Sequence, residues 1–211
     1  MKIQSNSSIY FRAKNPEIRF ADDIVRKVNK EFPRISHSFV ADFKHANEFT
    51  RLTCQLSGEI NYLRSKTRRY FSQFDKEKKL KAIVNPIREM QRGNCAEAAF
   101  LSIICAKING LKDVKFASLF SPSGYEYDHA VILANKDKKP YVLDAWLGFA
   151  DYLPNAVKKW QNEFGHHFDF KDAGTNQIVL KQTETTQKSF LEELPMDIMQ
   201  KVCPELILPK K

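Results

Sequence analysis

Gly93-Asn94-Cys95-Ala96-Glu97-Ala98-Ala99-Phe100 is the stretch that decides how the chain folds. Ala98, Ala99, Leu101, Ile103, Ile104, Cys105 and Ile108 follow Cys95 at spacings that cover most of a helix surface. A helix that is apolar nearly all round belongs inside a domain rather than on it. Asn109-Gly110 supplies a stop signal, since both residues tolerate left-handed backbone geometry. Gly93 and Asn94 suit a tight entry turn, which sets Cys95 in the first turn. There the N–H groups outside the helical ladder and the positive end of the dipole favour a thiolate.

A cysteine so placed needs a base. Downstream, Asp128-His129-Ala130-Val131-Ile132-Leu133-Ala134 puts a histidine at the head of an apolar run. A polar turn, Asn135 to Pro140, separates it from Tyr141-Val142-Leu143-Asp144-Ala145-Trp146. Both runs are of strand length, rich in branched and aromatic residues, and bounded by turn chemistry, so they predict a β-hairpin. Antiparallel pairing brings the head of one strand beside the tail of the next, so His129 and Asp144 can be neighbours. Asp128 competes with Asp144, but successive strand residues face opposite ways, which favours Asp144. Cys95, His129 and Asp144 are thus the candidate catalytic residues. The base takes the thiol proton, and the carboxylate fixes the ring's orientation and tautomer.

Gly93-Asn94-Cys95-x-Glu97, then Asp128-His129-Ala130-Val131, then Leu143-Asp144-x-Trp146 resembles the papain-like and transglutaminase-like cysteine hydrolases. It is most similar to the compact branch found among bacterial effectors delivered into host cells. The match runs from about Gln91 to Trp146, less than half the chain. The resemblance implies an α+β fold in which the Cys-bearing helix packs on an antiparallel sheet carrying His and Asp. It implies a thiol nucleophile attacking an amide carbonyl of a protein substrate, a host protein for an effector. Protease, protein-glutamine deamidase and transglutaminase-like activities all remain open. It also implies delivery into a host cell by a non-classical route, with the bacterial cytoplasm as the alternative location. For the oxyanion, the Cys95 main-chain N–H is the natural first donor, and Gln91 and Asn94 are the side-chain candidates. The papain pattern places its glutamine slightly farther upstream than Gln91 stands here. Glu97 is expected to make a structural hydrogen bond at the helix start, and Trp146 either walls the site or packs.

The remaining composition bounds these readings. The chain has 211 residues and a net charge of +9, enough for a catalytic core over 91–211 and a helical region over 1–90 packed on it. No apolar run is long enough to cross a bilayer, and the first residues lack the apolar core of a secretory signal. The basic groups at 64–69, 76–79 and 136–139 are dispersed and match no nucleic-acid-binding motif. The charge also permits a second class of function, a non-enzymatic module on the same fold whose basic surface holds an acidic partner. Cys54, Cys105 and Cys203 read as inert, and the four cysteines make no zinc-finger pattern. Cys95, His129 and Asp144 are legal zinc ligands, but a fourth is missing, and no metal or other cofactor is expected. No serine-hydrolase or phosphate-loop motif is present.

Around the hairpin, the periodicity predicts a helix from Asp22-Asp23 to Pro33 after an extended lead-in. Further helices are expected over about 39–57 and 60–74. Leu80 to Met90 completes a fourth, with Pro86 kinking or starting it. The aromatic stripe across these helices reads as core or lid. Val114 to Phe120 reads as a strand, Pro154 to Phe164 as a short helix, and Phe168, Phe170 and 178–180 as one or two strands. A last helical region runs from Ser189 to before Pro204, interrupted by Pro195. The tail from Leu206 would dock as an edge strand or bind a partner.

Overall fold

The computed structural model describes residues 15–32, 65, 74–90, 93–120, 126–136, 139–164, 179–182, 190–191 and 193–209. The helices expected over 39–57 and 60–74 lie almost wholly outside these residues, as do Gln91, Cys54 and the segment with Phe168 and Phe170. The described chain is α+β: β1 (Val114–Phe120), β2 (Glu126–Lys136), β3 (Lys139–Asp144), β4 (Phe149–Tyr152) and β5 (Val179–Gln182) form one sheet in the order β4-β3-β2-β1-β5. Every neighbouring pair is antiparallel. Five α-helices are described: α1 (Pro16–Glu31), α2 (Lys76–Met90), α3 (Cys95–Ile108), α4 (Leu153–Phe164) and α5 (Met196–Val202).

Strand alternation divides the core between the two faces of the sheet. Phe116, Ile132, Ala134, Tyr141, Leu143 and Ala150 pack with α3 and with residues of α1, α2 and α5. Ala117, Leu119, Val131 and Val142 point the other way, onto Ala156 and Trp160 of α4. α3 is buried nearly all round, as its sequence requires. It ends in a Schellman motif: Leu111 N–H donates to Ala106 O at 2.9 Å and Gly110 N–H to Lys107 O at 3.0 Å. Gly110, at φ +85°, takes the left-handed position that the motif needs.

Several boundaries differ from the sequence expectation, each for a local reason. α1 begins six residues before Asp22, because Asn15 caps it, Pro16 fills its first turn and Glu17 meets the dipole. Asp22 is then free of any capping duty, and it accepts from the Ala150 N–H of β4 at 2.9 Å. α2 begins at Lys76, with the Asp75 carboxylate accepting from Lys78 N–H at 2.8 Å, so Pro86 lies inside the helix and does not start one. The hairpin strands run closer together than a turn over 135–140 would allow, since Lys136 pairs with Lys139. β4 was not expected, because only four residues separate Asp144 from its first residue. The tail forms no edge strand. After a 3-10 turn at Pro204–Leu206, its main chain is held by Asn109 at the end of α3.

Candidate functional site

The site is built where α3 begins and where β2 and β3 meet. Asn94 is the N-cap of α3, and its side-chain oxygen accepts from Ala96 N–H at 3.0 Å. Glu97 reaches back to Asn94 N–H at 3.1 Å, closing a capping box. This is the structural hydrogen bond expected of Glu97. It fixes the first turn, and with it Cys95, the first helical residue, a buried cysteine outside any disulfide with 7% of its surface exposed.

His129 owes its place to an irregularity in β2. Ser118 of β1 pairs with Ala130, but the next residue, Leu119, pairs with Tyr127. Asp128 and His129 therefore fall in a bulge with no β1 residue opposite. A bulge bends its strand and re-aims side chains, so strict alternation does not hold at this point. It is the contact with the ring that identifies Asp144. The ring's Nε2–H donates to Asp144 Oδ2 at 2.7 Å. Continuing the β2–β3 register one step past Ile132–Leu143 sets Asp144 opposite Val131, with His129 in the diagonal position. A diagonal pair is within reach of long or aromatic side chains.

Asp144 is held from three sides. Oδ1 accepts from Leu147 N–H at 3.0 Å. Oδ2, already bonded to His129, also accepts from Trp160 Nε1–H at 2.8 Å. Main-chain Asp144 O accepts from Gly148 N–H at 2.8 Å. Gly148, at φ +80°, lets the chain turn back into β4. His129 and Asp144 are both almost fully buried. Two tryptophans enclose the ring: Trp146 lies tilted across it at 5.3 Å between centroids, and Trp160 meets it edge-on at 6.5 Å.

Burial is the largest influence on the His129 proton and works against it. The charge of Asp144 and its hydrogen bond, followed by a smaller influence of the Cys95 sulfur, outweigh that loss and push the imidazolium up to about 10. Cys95 and Asp144 thus both act on one ring, from different elements. Burial pushes the Cys105 and Cys203 thiols up to about 12.

The structure therefore brings together Cys95, His129 and Asp144. Asn94 borders them, with its side-chain oxygen committed to the helix cap. Gln91 lies outside the described residues. Among the described residues no group of three or more His, Cys, Asp or Glu is placed to hold a metal ion. Trp160 is the site residue that the sequence did not reveal. It lies on an amphipathic helix sixteen residues from Asp144, and nothing in its local pattern separates a donor from a packing residue. Among the described residues no helix is long and apolar enough to cross a membrane. Comparisons with protein-family models, with curated proteins and with solved structures find no match.

Proposed function

We propose that this chain is a thiol-dependent acyl-transfer enzyme with a papain-like or transglutaminase-like core, in which Cys95 is the nucleophile, His129 the general base and acid, and Asp144 the residue that orients the ring. The observation that carries the reading is one imidazole bonded on Nε2 to a buried carboxylate and coupled to a cysteine at the start of a helix. That is the constellation an activated nucleophile requires: nucleophile, base and orienter in sequence.

The chemistry follows from those roles. Near neutral pH the imidazole already carries the proton, so sulfur attacks an amide carbonyl as the thiolate of a preformed pair and forms the S–C bond of a tetrahedral oxyanion. The Cys95 main-chain N–H is the first donor to that oxygen, with Gln91 and Asn94 the side-chain candidates. Collapse breaks the C–N bond, and the imidazolium gives its proton to the leaving amine. Water, deprotonated by the same imidazole, then releases the acyl group as an acid and restores the thiol. A peptide-bond substrate makes this a protease and a glutamine side chain a deamidase. An amine in place of water makes it a transglutaminase. The proposed substrate is a protein of a host cell that the chain enters as a bacterial effector.

The test begins with iodoacetamide near neutral pH. Cys95 should be labelled well before Cys54 and Cys203. Equal labelling of all three would favour a binding module whose net charge of +9 holds an acidic partner. The intact mass of a treated host protein then separates the activities: cleavage shortens the chain, whereas deamidation leaves it whole and slightly heavier.

A further inference from the structure

Two donors share one oxygen of Asp144. His129 Nε2–H and Trp160 Nε1–H both reach Oδ2, at 2.7 Å and 2.8 Å, while Oδ1 takes the Leu147 N–H. We propose that Trp160 is a positioning residue that moderates the His129–Asp144 bond by drawing on the same carboxylate oxygen. A neutral N–H donor at a carboxylate oxygen withdraws electron density that the imidazole would otherwise receive. Without it, Oδ2 holds the imidazolium proton more tightly, and the ring is slower to part with it. An acid that must hand a proton to the leaving amine works best when it is not held too firmly.

The surroundings make this an adjustment of strength rather than a support for the fold of Asp144. The carboxylate stays placed without the indole, through Leu147 N–H on Oδ1 and Gly148 N–H on its main-chain oxygen. Trp160 is itself fully buried, among Ala117 and Leu119 of β1, Val131 of β2, Val142 of β3 and Ala156 of α4, so its N–H has no water to turn to. The largest titratable influences on the His129 ring are Asp144 from β3 and Cys95 from α3. Lys159, beside Trp160 in sequence, is directed to Asp151 at 2.9 Å and sits over the Phe149 ring. Asp22 of α1 is engaged by Ala150 N–H.

The inference rests on the proposed chemistry only for its consequence in turnover, because the effect on the ring is read directly. The experiment compares wild type with Trp160→Phe by NMR of nitrogen-labelled histidine, titrated from about pH 7 to about pH 12, together with the pH dependence of Cys95 alkylation. In Trp160→Phe the Nε2–H signal should move downfield, as in a shorter bond, and the His129 midpoint should rise by about one unit. A folded variant with an unmoved midpoint, or with the Nε2–H signal shifted upfield or lost, overturns the inference. Should Trp160→Phe not fold, a benzothienyl side chain at position 160 keeps the indole's shape and replaces only the N–H, so the same comparison applies. Failure of the two readings is distinguishable. Wild-type Cys95 that alkylates no faster than Cys54 overturns the thiol chemistry whatever the histidine spectrum shows. Selective alkylation with an unmoved spectrum overturns the role of Trp160 alone.

Discussion

Asp144 is bonded through both carboxylate oxygens and its own carbonyl, and it is almost wholly out of water. A buried charge in such a setting is tolerated because it is paired and hydrogen-bonded, and removing one partner leaves the other exposed to the full cost of desolvation. Asp144→Ala should therefore destabilise the fold by about 3–5 kcal/mol, read as a lower urea midpoint. Proton linkage makes a separate prediction. The His129 imidazolium is held up to about 10 in the folded chain, above the ordinary value of about 6.5 in the unfolded one. The folded state thus binds the extra proton between those two limits. Its stabilising contribution is complete below about pH 6.5 and is lost progressively as pH rises towards about 10. Urea midpoints measured from pH 6 to pH 10 should fall for the wild type, and His129→Gln should remove that part of the slope.

At the scale of the element, α3 and the turn after β3 set where the reactive groups stand. The capping box of Asn94 and Glu97 satisfies donors that the first turn cannot satisfy itself. Asn94→Ala should cost about 1 kcal/mol, seen as a lower melting temperature. Gly148→Ala should cost about 1–2 kcal/mol, because a Cβ is strained at a left-handed backbone. Space is not the obstacle there, since the added carbon would lie 3.7 Å from Asn29 Nδ2.

How far these elements could be read in advance depends on whether their signal was local. α3 was legible because its apolar surface, its Asn94 and its Asn109-Gly110 stop lie within one short stretch. The His129–Asp144 contact was legible because a hairpin links its halves. β1 was placed residue for residue, because its largely apolar run ends in turn residues. Other features depend on contacts that local pattern does not encode. The bulge at Asp128-His129 arises from pairing with β1 rather than from either residue alone. β4 is too short to show a period, and it closes only because the Gly148 turn returns the chain to β3. The Trp160 bond joins α4 to β3, and an amphipathic pattern marks the indole only as an inward-facing residue. The start of α1 is a different case. Asn15, Pro16 and Glu17 carried the signal locally, yet the acidic pair Asp22-Asp23 resembles a helix start equally well.

At the scale of the whole molecule, the Cys-bearing helix is secured from its far end. Asn109 donates to Cys105 O at 2.7 Å and to Leu206 O at 2.9 Å, and accepts from Leu208 N–H at 2.7 Å. Arg88 of α2 reaches Glu205 at 2.6 Å and Val202 O at 2.9 Å. The C-terminal segment thus ties α2 and α3 together over Leu206, which is fully buried. Leu206→Ala should cost about 2–5 kcal/mol. Hydrogen exchange should rise in α3 as well as in the tail, because the two share one core.

The arrangement at the opposite end of α3 carries the functional claim, and the most direct test of it is the rate of iodoacetamide alkylation at Cys95, resolved by mass spectrometry, in wild type, His129→Ala and Asp144→Ala near neutral pH. The account predicts that Cys95 reacts selectively in the wild type, that His129→Ala slows it by about tenfold or more, and that Asp144→Ala slows it in the same direction. A Cys95 rate that His129→Ala leaves unchanged would contradict it.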